Sequence, residues 1–574
     1  MSHWSVGESI SDEVKSQFPG VHPVVLQLLW NRGLRTQEAM DVFLSPDWNR
    51  DTFSPSQFSN IKTAVDRVFL AFENREAITV HGDYDADGVC GSAVLVSTLR
   101  EIADKLAQTA QIGFYIPHRE KEGYGMSVQT MEHLHEHEKT NLVITVDCGI
   151  SNKPAIDRGG ELGIDTIVCD HHTMPEQLPE RAILIHPLVP GETYPNKHLC
   201  GTGVAFKLAS ALIQEARRRG AAFPDGHEKW LLDLVAIATV TDVVPLTGEN
   251  RALERFGLVV LNKTRRPGLR ALVKAAGSEC GGLDTTSIGF QIGPRLNAAG
   301  RMDHANAALN LLLESDEEKA RLLASALQRL NIARQEASSA MYQEAKVLAD
   351  AQTPQKLLIV VKDGWSAGLV GLVASKLVNE YHRPVLVVGK DGQTYVGSGR
   401  SMGGFDITKA LHATEGNLDK FGGHPQACGF STHGDDRFAK AAALMTAFAD
   451  QTISDETLDP TVCVDALANV EDFAWSLFEA LERFAPFGEG NRLPVFGLRG
   501  VLVAAFSTVG AEGKHLRLTV RSKHGKMCKM IGWRFGAWAL KLKLGDAVHV
   551  AFTLQVNEWN GARELQGSIV DLYA

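Results

Sequence analysis

The chain has 574 residues, of which 44% are apolar and 22% charged, and its formal net charge is −10. That length gives room for three or four domains with their own cores, and the composition excludes a disordered or fibrous chain. The eight cysteines include no C-x-x-C pair, no apolar run approaches the roughly 18 residues of a membrane span, and Met1-Ser2-His3-Trp4 lacks a signal-peptide pattern. A cytoplasmic protein without a zinc framework, a disulfide framework or a membrane partner is expected.

Residues 1–50 read as a helical preface. Residues 51–245 alternate short β-branched runs with helical stretches, the pattern of a parallel-sheet α/β domain. Ile78-Thr79-Val80 runs into His81-Gly82-Asp83-Tyr84-Asp85-Ala86-Asp87-Gly88. Carboxylates at i, i+2 and i+4 of an extended segment share one side, and a divalent cation between them relieves their repulsion. An EF-hand would need a bidentate Glu at residue 94; Val94 stands there. Leu142-Val143-Ile144-Thr145-Val146 runs into Asp147, and Ile164-Asp165-Thr166-Ile167-Val168-Cys169 into Asp170-His171-His172. Asp242 follows the apolar segment Leu234–Val240. Parallel sheets bind ligands at the carboxyl ends of their strands, so these side chains are expected at one edge.

Residues 246–345 read as a helical connector. There Ser315 and Glu318 suggest a capping box, and Leu323, Leu327 and Leu330 one face of a long helix. Residues 346–455 form a second, smaller α/β domain, with Gly-rich segments at 397–404 and 422–429 read as loops. Glycine lets backbone N–H groups approach an anion and Arg adds a two-toothed donor, so Ser398, Arg400, Gly422, Gly423 and His424 are phosphate-binding candidates. Gly364-Trp365-Ser366-Ala367-Gly368 matches a nucleophile elbow, for which Asp406 and His424 could be nominated; a tight strand-to-helix turn is the preferred reading.

Residues 460–574 read as an all-β domain. Arg499–Lys543 holds ten Lys or Arg against Glu512 alone, and His515-Leu516-Arg517-Leu518-Thr519-Val520-Arg521 alternates polar with apolar. A basic β domain with aromatics fits an OB-fold that binds single strands by charge and stacking. Lys523, Lys526, Lys529 and Trp559 are its candidate contacts, against the alternative of a merely solvated sheet face.

Asp83-Tyr84-Asp85-Ala86-Asp87-Gly88, Val146-Asp147-Cys148-Gly149-Ile150, Asp170-His171-His172 and Thr241-Asp242-Val243-Val244-Pro245-Leu246 occur in one order. They are joined by Gly293-Pro294-Arg295-Leu296-Asn297-Ala298-Ala299-Gly300-Arg301, Ser398-Gly399-Arg400-Ser401, Phe421-Gly422-Gly423-His424 and Pro486-Phe487-Gly488-Glu489-Gly490-Asn491. Together they resemble the DHH phosphoesterase superfamily and, within it, the single-strand-specific exonucleases. Cys148 departs from the family, where Asn is common, and His81 stands at a variable position. The fold implied is a DHH parallel-sheet catalytic domain, a smaller DHH-associated α/β domain joined to it by a long helix, and an OB-fold.

Oxygen-rich sites with imidazoles suit two divalent ions, Mn²⁺ or Mg²⁺. Asp147 is the natural bridge, with Asp87, His171 and Asp242 around one ion and Asp83 and Asp85 nearer the other. In an extended segment His172 points away from His171. His172 is therefore read as a phosphate contact or proton donor, and it and Asp85 are the catalytic candidates. The resemblance implies that the second α/β domain holds the 5′-terminal part of a strand. Arg295 and Arg301 are read as added phosphate contacts, and Tyr124 in Glu122-Gly123-Tyr124-Gly125 as a base-stacking residue or a packed loop aromatic. The activity implied is 5′→3′ hydrolysis of single-stranded DNA to 5′-mononucleotides in recombination and repair. A small-molecule phosphodiesterase or pyrophosphatase and an inactive single-strand-binding scaffold are the alternatives. Single-stranded DNA is the expected partner of a monomer, with a helicase and a single-strand-binding protein as further candidates.

Overall fold

The β-branched runs become a parallel sheet of five strands in the order Ile112–Tyr115, Ala77–Gly82, Thr140–Val146, Asp165–Cys169, Ile183–Ile185. The computed structural model describes residues 3–352, 354–414, 416–454, 458, 461–559 and 561–574. Gly82 lies opposite Val146 and Val146 opposite Cys169, so the chain leaves three adjacent strands at one edge. Ile78, Val80, Leu142, Ile144 and Ile167 are buried, as near-continuous apolar strands covered on both faces must be. The helix Ala86–Lys105 follows the first acid cluster with Val89, Cys90, Ala93, Val94 and Leu95 all buried. Gly201–Arg218 packs against it. The segment before Asp242 is a helix, Leu232–Thr241, whose C-terminal cap is Asp242 itself.

Helices continue through the connector to Glu317–Asp350, which spans 34 residues. Its cap differs from the expected box. The Asp316 carboxylate accepts the Lys319 N–H at 2.8 Å, and Glu314 takes the N–H groups of Ser315 and Asp316. Glu318 instead pairs with Arg321. Leu327 is buried, and Leu323 and Leu330 pack on the same core.

The second sheet is mixed, in the order Lys420–His424, Ala427–His433, Thr394–Arg400, Val385–Asp391, Leu358–Asp363, with only the last pair parallel. Residues 397–400 and 422–424, expected in loops, are therefore strand residues. Gly397 and Gly399 serve packing: a Cβ on Gly397 would lie 2.4 Å from the Phe430 ring of the next strand, and one on Gly399 2.6 Å from Cys428 Sγ. Ser366 is a helix cap that accepts the Gly368 N–H at 3.2 Å and bonds Glu120 at 3.3 Å. It is not a nucleophile.

Trp48–Leu458 forms one compact unit; Met1–Asp47 and Asp459–Ala574 form the other. In the latter, Phe496–Val509, His515–Arg521, Met527–Gly532, Ala562–Tyr573 and Ala547–Trp559 close into a five-stranded barrel of the OB type, because the first strand also pairs with the last. Leu516, Leu518 and Val520 point inward while Arg517 and Arg521 are exposed. The preface is not purely helical: His3–Val6 is a strand paired in parallel with Thr461–Val464. Trp4 donates from Nε1 to Asp571 at 2.7 Å and meets Tyr573 edge-on at 5.1 Å. Val25, Leu28 and Leu29 join the barrel's core.

Trp4→Ala should therefore destabilise the barrel unit by about 3–5 kcal/mol, the usual loss for a buried aromatic. Amide hydrogen exchange in 461–464 and 562–573 should accelerate, and exchange in the 77–185 sheet should not. Unchanged protection in the first two segments would show that the strand is not part of that unit.

Candidate metal centre

The acids at the edge of the parallel sheet are held in different ways. Asp85 caps the helix that follows it, accepting the N–H groups of Asp87 and Gly88 at 2.9 and 3.1 Å. Asp87 is buried and takes the first amides of another helix, Gly201 N–H on one oxygen and Thr202 N–H on the other, both at 2.7 Å. A carboxylate at a helix N-terminus is favoured by both the free amides and the dipole. Asp147 sits at φ +61° just past its strand, with its N–H bonded to Cys169 O at 2.9 Å.

These elements converge on His171. Its Nε2 lies 3.1 Å from Asp147 Oδ1, 3.6 Å from Asp242 Oδ2 and 3.9 Å from Asp87 Oδ2. Three groups of potential ligands each have donor atoms within 4.8 Å of one another: Asp87, His171 and Asp242; Asp83, Asp85 and Asp147; Asp147, His171 and His172. Asp147 belongs to two of them. Burial first, and then the neighbouring acids, hold the carboxyls of Asp83, Asp147 and Asp242 well above the usual carboxylate range. Asp83 Oδ1 and Asp242 Oδ2 are buried without a hydrogen-bond partner. Burial and the neighbouring His172 lower His171, favouring the neutral imidazole that a metal requires. Orphaned acceptors, mutual repulsion and an oxygen-rich set with imidazole fit a pair of divalent cations.

His172 does not turn away from His171; the rings lie 4.6 Å apart. The segment is not extended, because Asp170 Oδ1 accepts the N–H groups of His171 at 2.7 Å and His172 at 3.2 Å and also bonds His172 Nδ1 at 2.8 Å. Burial works to lower His172, but the Asp170 carboxylate outweighs it and leaves the imidazole raised. Asp170, raised by burial but lowered more by His172 and the Ile150 amide, ends well below the usual range. Tyr124 is 46% exposed, and its hydroxyl donates to Asp147 O at 3.0 Å and lies 3.1 Å from His172 Nδ1. His81 is buried, 3.6 Å from Cys148 Sγ, and lowered to about 4 by burial; it enters none of the three groups.

A cleft of about 760 Å³ opens beside these residues, lined by Tyr124, Asp170 and His172 on one side and Gly422, Gly423 and His424 on the other. Ser398 and Arg400 lie on the strand Thr394–Arg400, with Arg400 Nη1 donating to Ser398 Oγ at 2.9 Å. Arg301 donates to Gly368 O at 2.8 Å, and Arg295 to Gln328 Oε1 and Gln291 O. In the barrel, Lys523 is exposed, whereas Lys529 pairs with Glu564 at 2.7 Å and Lys526 Nζ is bonded to Glu471 O and Phe473 O. The Trp559 side chain lies outside the described residues.

Sequence models of three domain families match the chain: the DHH family N-terminal domain over 77–239, the DHHA1 domain over 354–451 and the RecJ OB domain over 464–571. The single-stranded-DNA-specific exonuclease RecJ of Bacillus subtilis is 36% identical over 99% of this chain and 70% of the relative. Its namesake from Escherichia coli K12 is 31% identical over 95% of this chain and 94% of the relative. The chain belongs to the RecJ family. The crystal structure of RecJ in complex with Mn²⁺ from Thermus thermophilus superposes with a TM-score of 0.82, at 32% identity, over all of this chain and 79% of that one. A RecJ structure with Mg²⁺ from the same organism has a TM-score of 0.76 at 30% identity, covering 100% of this chain and 78% of that one.

Three RecJ-site features were not singled out from the sequence. Asp170 orients His172, and the first letter of the D-H-H triplet was the available signal. Asn297 Oδ1 accepts the Ala86 N–H at 2.7 Å, tying the Gly293–Arg301 motif to the acid loop. Gly201 and Thr202 hold Asp87, and no local pattern marks them.

Asp147→Asn should abolish hydrolysis of single strands while raising the metal-free unfolding midpoint, since each kcal/mol of relieved repulsion shifts it by about 2–4 °C. Asp147 is raised in the folded state, so its stabilising contribution is complete below about pH 4 and lost as pH climbs through the folded value. In EDTA the midpoint of the unaltered protein should fall with rising pH more steeply than that of the variant. Parallel pH profiles would refute the repulsion.

Proposed function

We propose that this chain is a metal-dependent 5′→3′ exonuclease that degrades single-stranded DNA to 5′-mononucleotides in recombination and repair. The observation that carries this reading is the acid–histidine cluster opening onto a cleft whose far wall is a glycine-rich strand. The curated relatives are named as single-stranded-DNA-specific exonucleases, and solved relatives are complexes with Mn²⁺ and Mg²⁺.

In this reading Asp83, Asp85, Asp87, Asp147, His171 and Asp242 hold two divalent ions, with Asp147 shared. Such ions, when bound, activate water and stabilise the leaving oxygen of an in-line displacement at phosphorus. His172, whose imidazole the Asp170 carboxylate raises, supplies a proton to the departing 3′ oxygen or a bond to the phosphate, and Tyr124 fixes the imidazole and offers a face to a base. Gly422, Gly423, His424, Ser398 and Arg400 hold the 5′-terminal phosphate, backed by Arg295 and Arg301. Residues 51–245 then act as the catalytic domain, 246–345 as a connector, 346–455 as the end-binding domain and 460–574 as the single-strand-binding domain. In the last, Lys523, Lys526, Lys529 and Trp559 are the contacts. The chain works as a cytoplasmic monomer, with a helicase and a single-strand-binding protein as the partner classes its substrate calls for. A small-molecule phosphodiesterase would not need the barrel, and a silent scaffold would not need to retain every acid.

With Mn²⁺, 5′-labelled single strands should lose their label as mononucleotides before 3′-labelled ones do, and circular single strands should survive. Arg400→Ala should narrow the preference for 5′-phosphate over 5′-hydroxyl ends, chiefly through KM. Equal losses on both ends would remove Arg400 from end recognition, and early 3′ release would overturn the polarity.

A further inference from the structure

The long helix Glu317–Asp350 carries a polar stripe at Gln328, Asn331, Arg334 and Ser338, a spacing that faces one side. Asn331 and Ser338 are buried. The stripe meets basic groups from two of the helices packed on it, Gly293–Met302 and Ala367–Tyr381. Arg295 bonds Gln328 at 2.7 Å, Arg334 Nη2 donates to Asn331 Oδ1 at 2.9 Å, and Lys376 Nζ donates to Ser338 Oγ at 3.1 Å. Arg334 Nε is buried with no hydrogen-bond partner. The helix that carries Lys376 also reaches the proposed end pocket: Arg301 donates to its Gly368 O at 2.8 Å, and a Cβ on its Gly371 would lie 3.0 Å from Arg400 Nη2 and 3.1 Å from Ser398 Oγ. Burial pushes Arg301 down to about 9, and the guanidiniums of Arg119, Arg334 and Arg400 add to the shift while Asp85 opposes it.

Among the described residues none of these six cations has a carboxylate within 4.0 Å, in a chain whose net charge is −10. Desolvated guanidiniums left unpaired are costly unless an anion joins them. A terminal phosphate monoester carries only about −1.5 to −2, too little for six cations. We propose that Arg334 and Lys376 extend the 5′-phosphate pocket into a second anion site, which takes the outer phosphates of a 5′-di- or triphosphorylated strand end. The inference rests on the 5′-end reading given above. Water would add to phosphorus at the first internucleotide linkage and the terminal nucleotide's 3′ oxygen would leave with a proton. The first product from such an end is a nucleoside 5′-triphosphate.

Two experiments test this. In metal-free protein with EDTA, sodium tripolyphosphate should raise the unfolding midpoint more than orthophosphate at equal concentration, and Arg334→Gln with Lys376→Gln should erase the difference. With excess Mn²⁺, kcat/KM should be about tenfold higher for a 5′-triphosphate oligonucleotide than for the 5′-monophosphate, the worth of one or two charge-assisted bonds. The double variant should lose that advantage and keep its rate on the monophosphate. Lys376 is exposed, so Lys376→Gln alone serves if the double variant unfolds. Triphosphate ends that resist hydrolysis, or equal losses on every end, would overturn the second site. Release of the 3′ label first from every substrate would overturn the polarity itself, and this inference with it.

Discussion

The repulsion among buried carboxylates is the constraint around which the larger unit is organised. Asp83, Asp87 and Asp147 are buried, with Asp85 and Asp242 beside them. Five acids this close cannot all ionise in a low-dielectric site unless positive charge accompanies them. The fold gives part of that compensation and leaves part open. Helix amides at Gly201 and Thr202 hold Asp87, whereas Asp83 Oδ1 and Asp242 Oδ2 accept no hydrogen bond from the protein. The unfilled part of the coordination defines the site's chemistry more sharply than the filled part.

Convergence at that edge depends on backbone geometry as much as on residue type. The strand register places three loop entrances side by side, and Asp147 adopts the left-handed region that a β-branched residue would resist. A Cβ on Gly201 would lie 2.6 Å from that of Asp147, so the helix that steadies Asp87 can approach only because the residue there is glycine. The same economy appears at the second sheet, where glycine-bearing strands line the cleft opposite His172.

Much of this was legible from sequence because strands buried on both faces announce themselves as β-branched runs, and acids at their ends are hard to explain otherwise. What escaped detection had non-local causes. Glycines at 397–400 and 422–424 look like loop residues until Phe430 fills the space above Gly397. The strand His3–Val6 finds its partner at 461–464, a separation at which no local pattern helps. His172 takes its direction from the Asp170 side chain rather than from strand alternation, and the Lys526 ammonium is engaged by carbonyls of a distant segment.

The claim that one shared carboxylate organises two ions is tested most directly by electron paramagnetic resonance during a Mn²⁺ titration of the metal-free protein. The arrangement predicts two ions per chain and a spin-coupled spectrum, as expected for ions about 3.5–4 Å apart. Asp147→Asn should give only the signal of isolated Mn²⁺. A single uncoupled ion in the unaltered protein, or coupling that survives the loss of the Asp147 carboxylate, would contradict it.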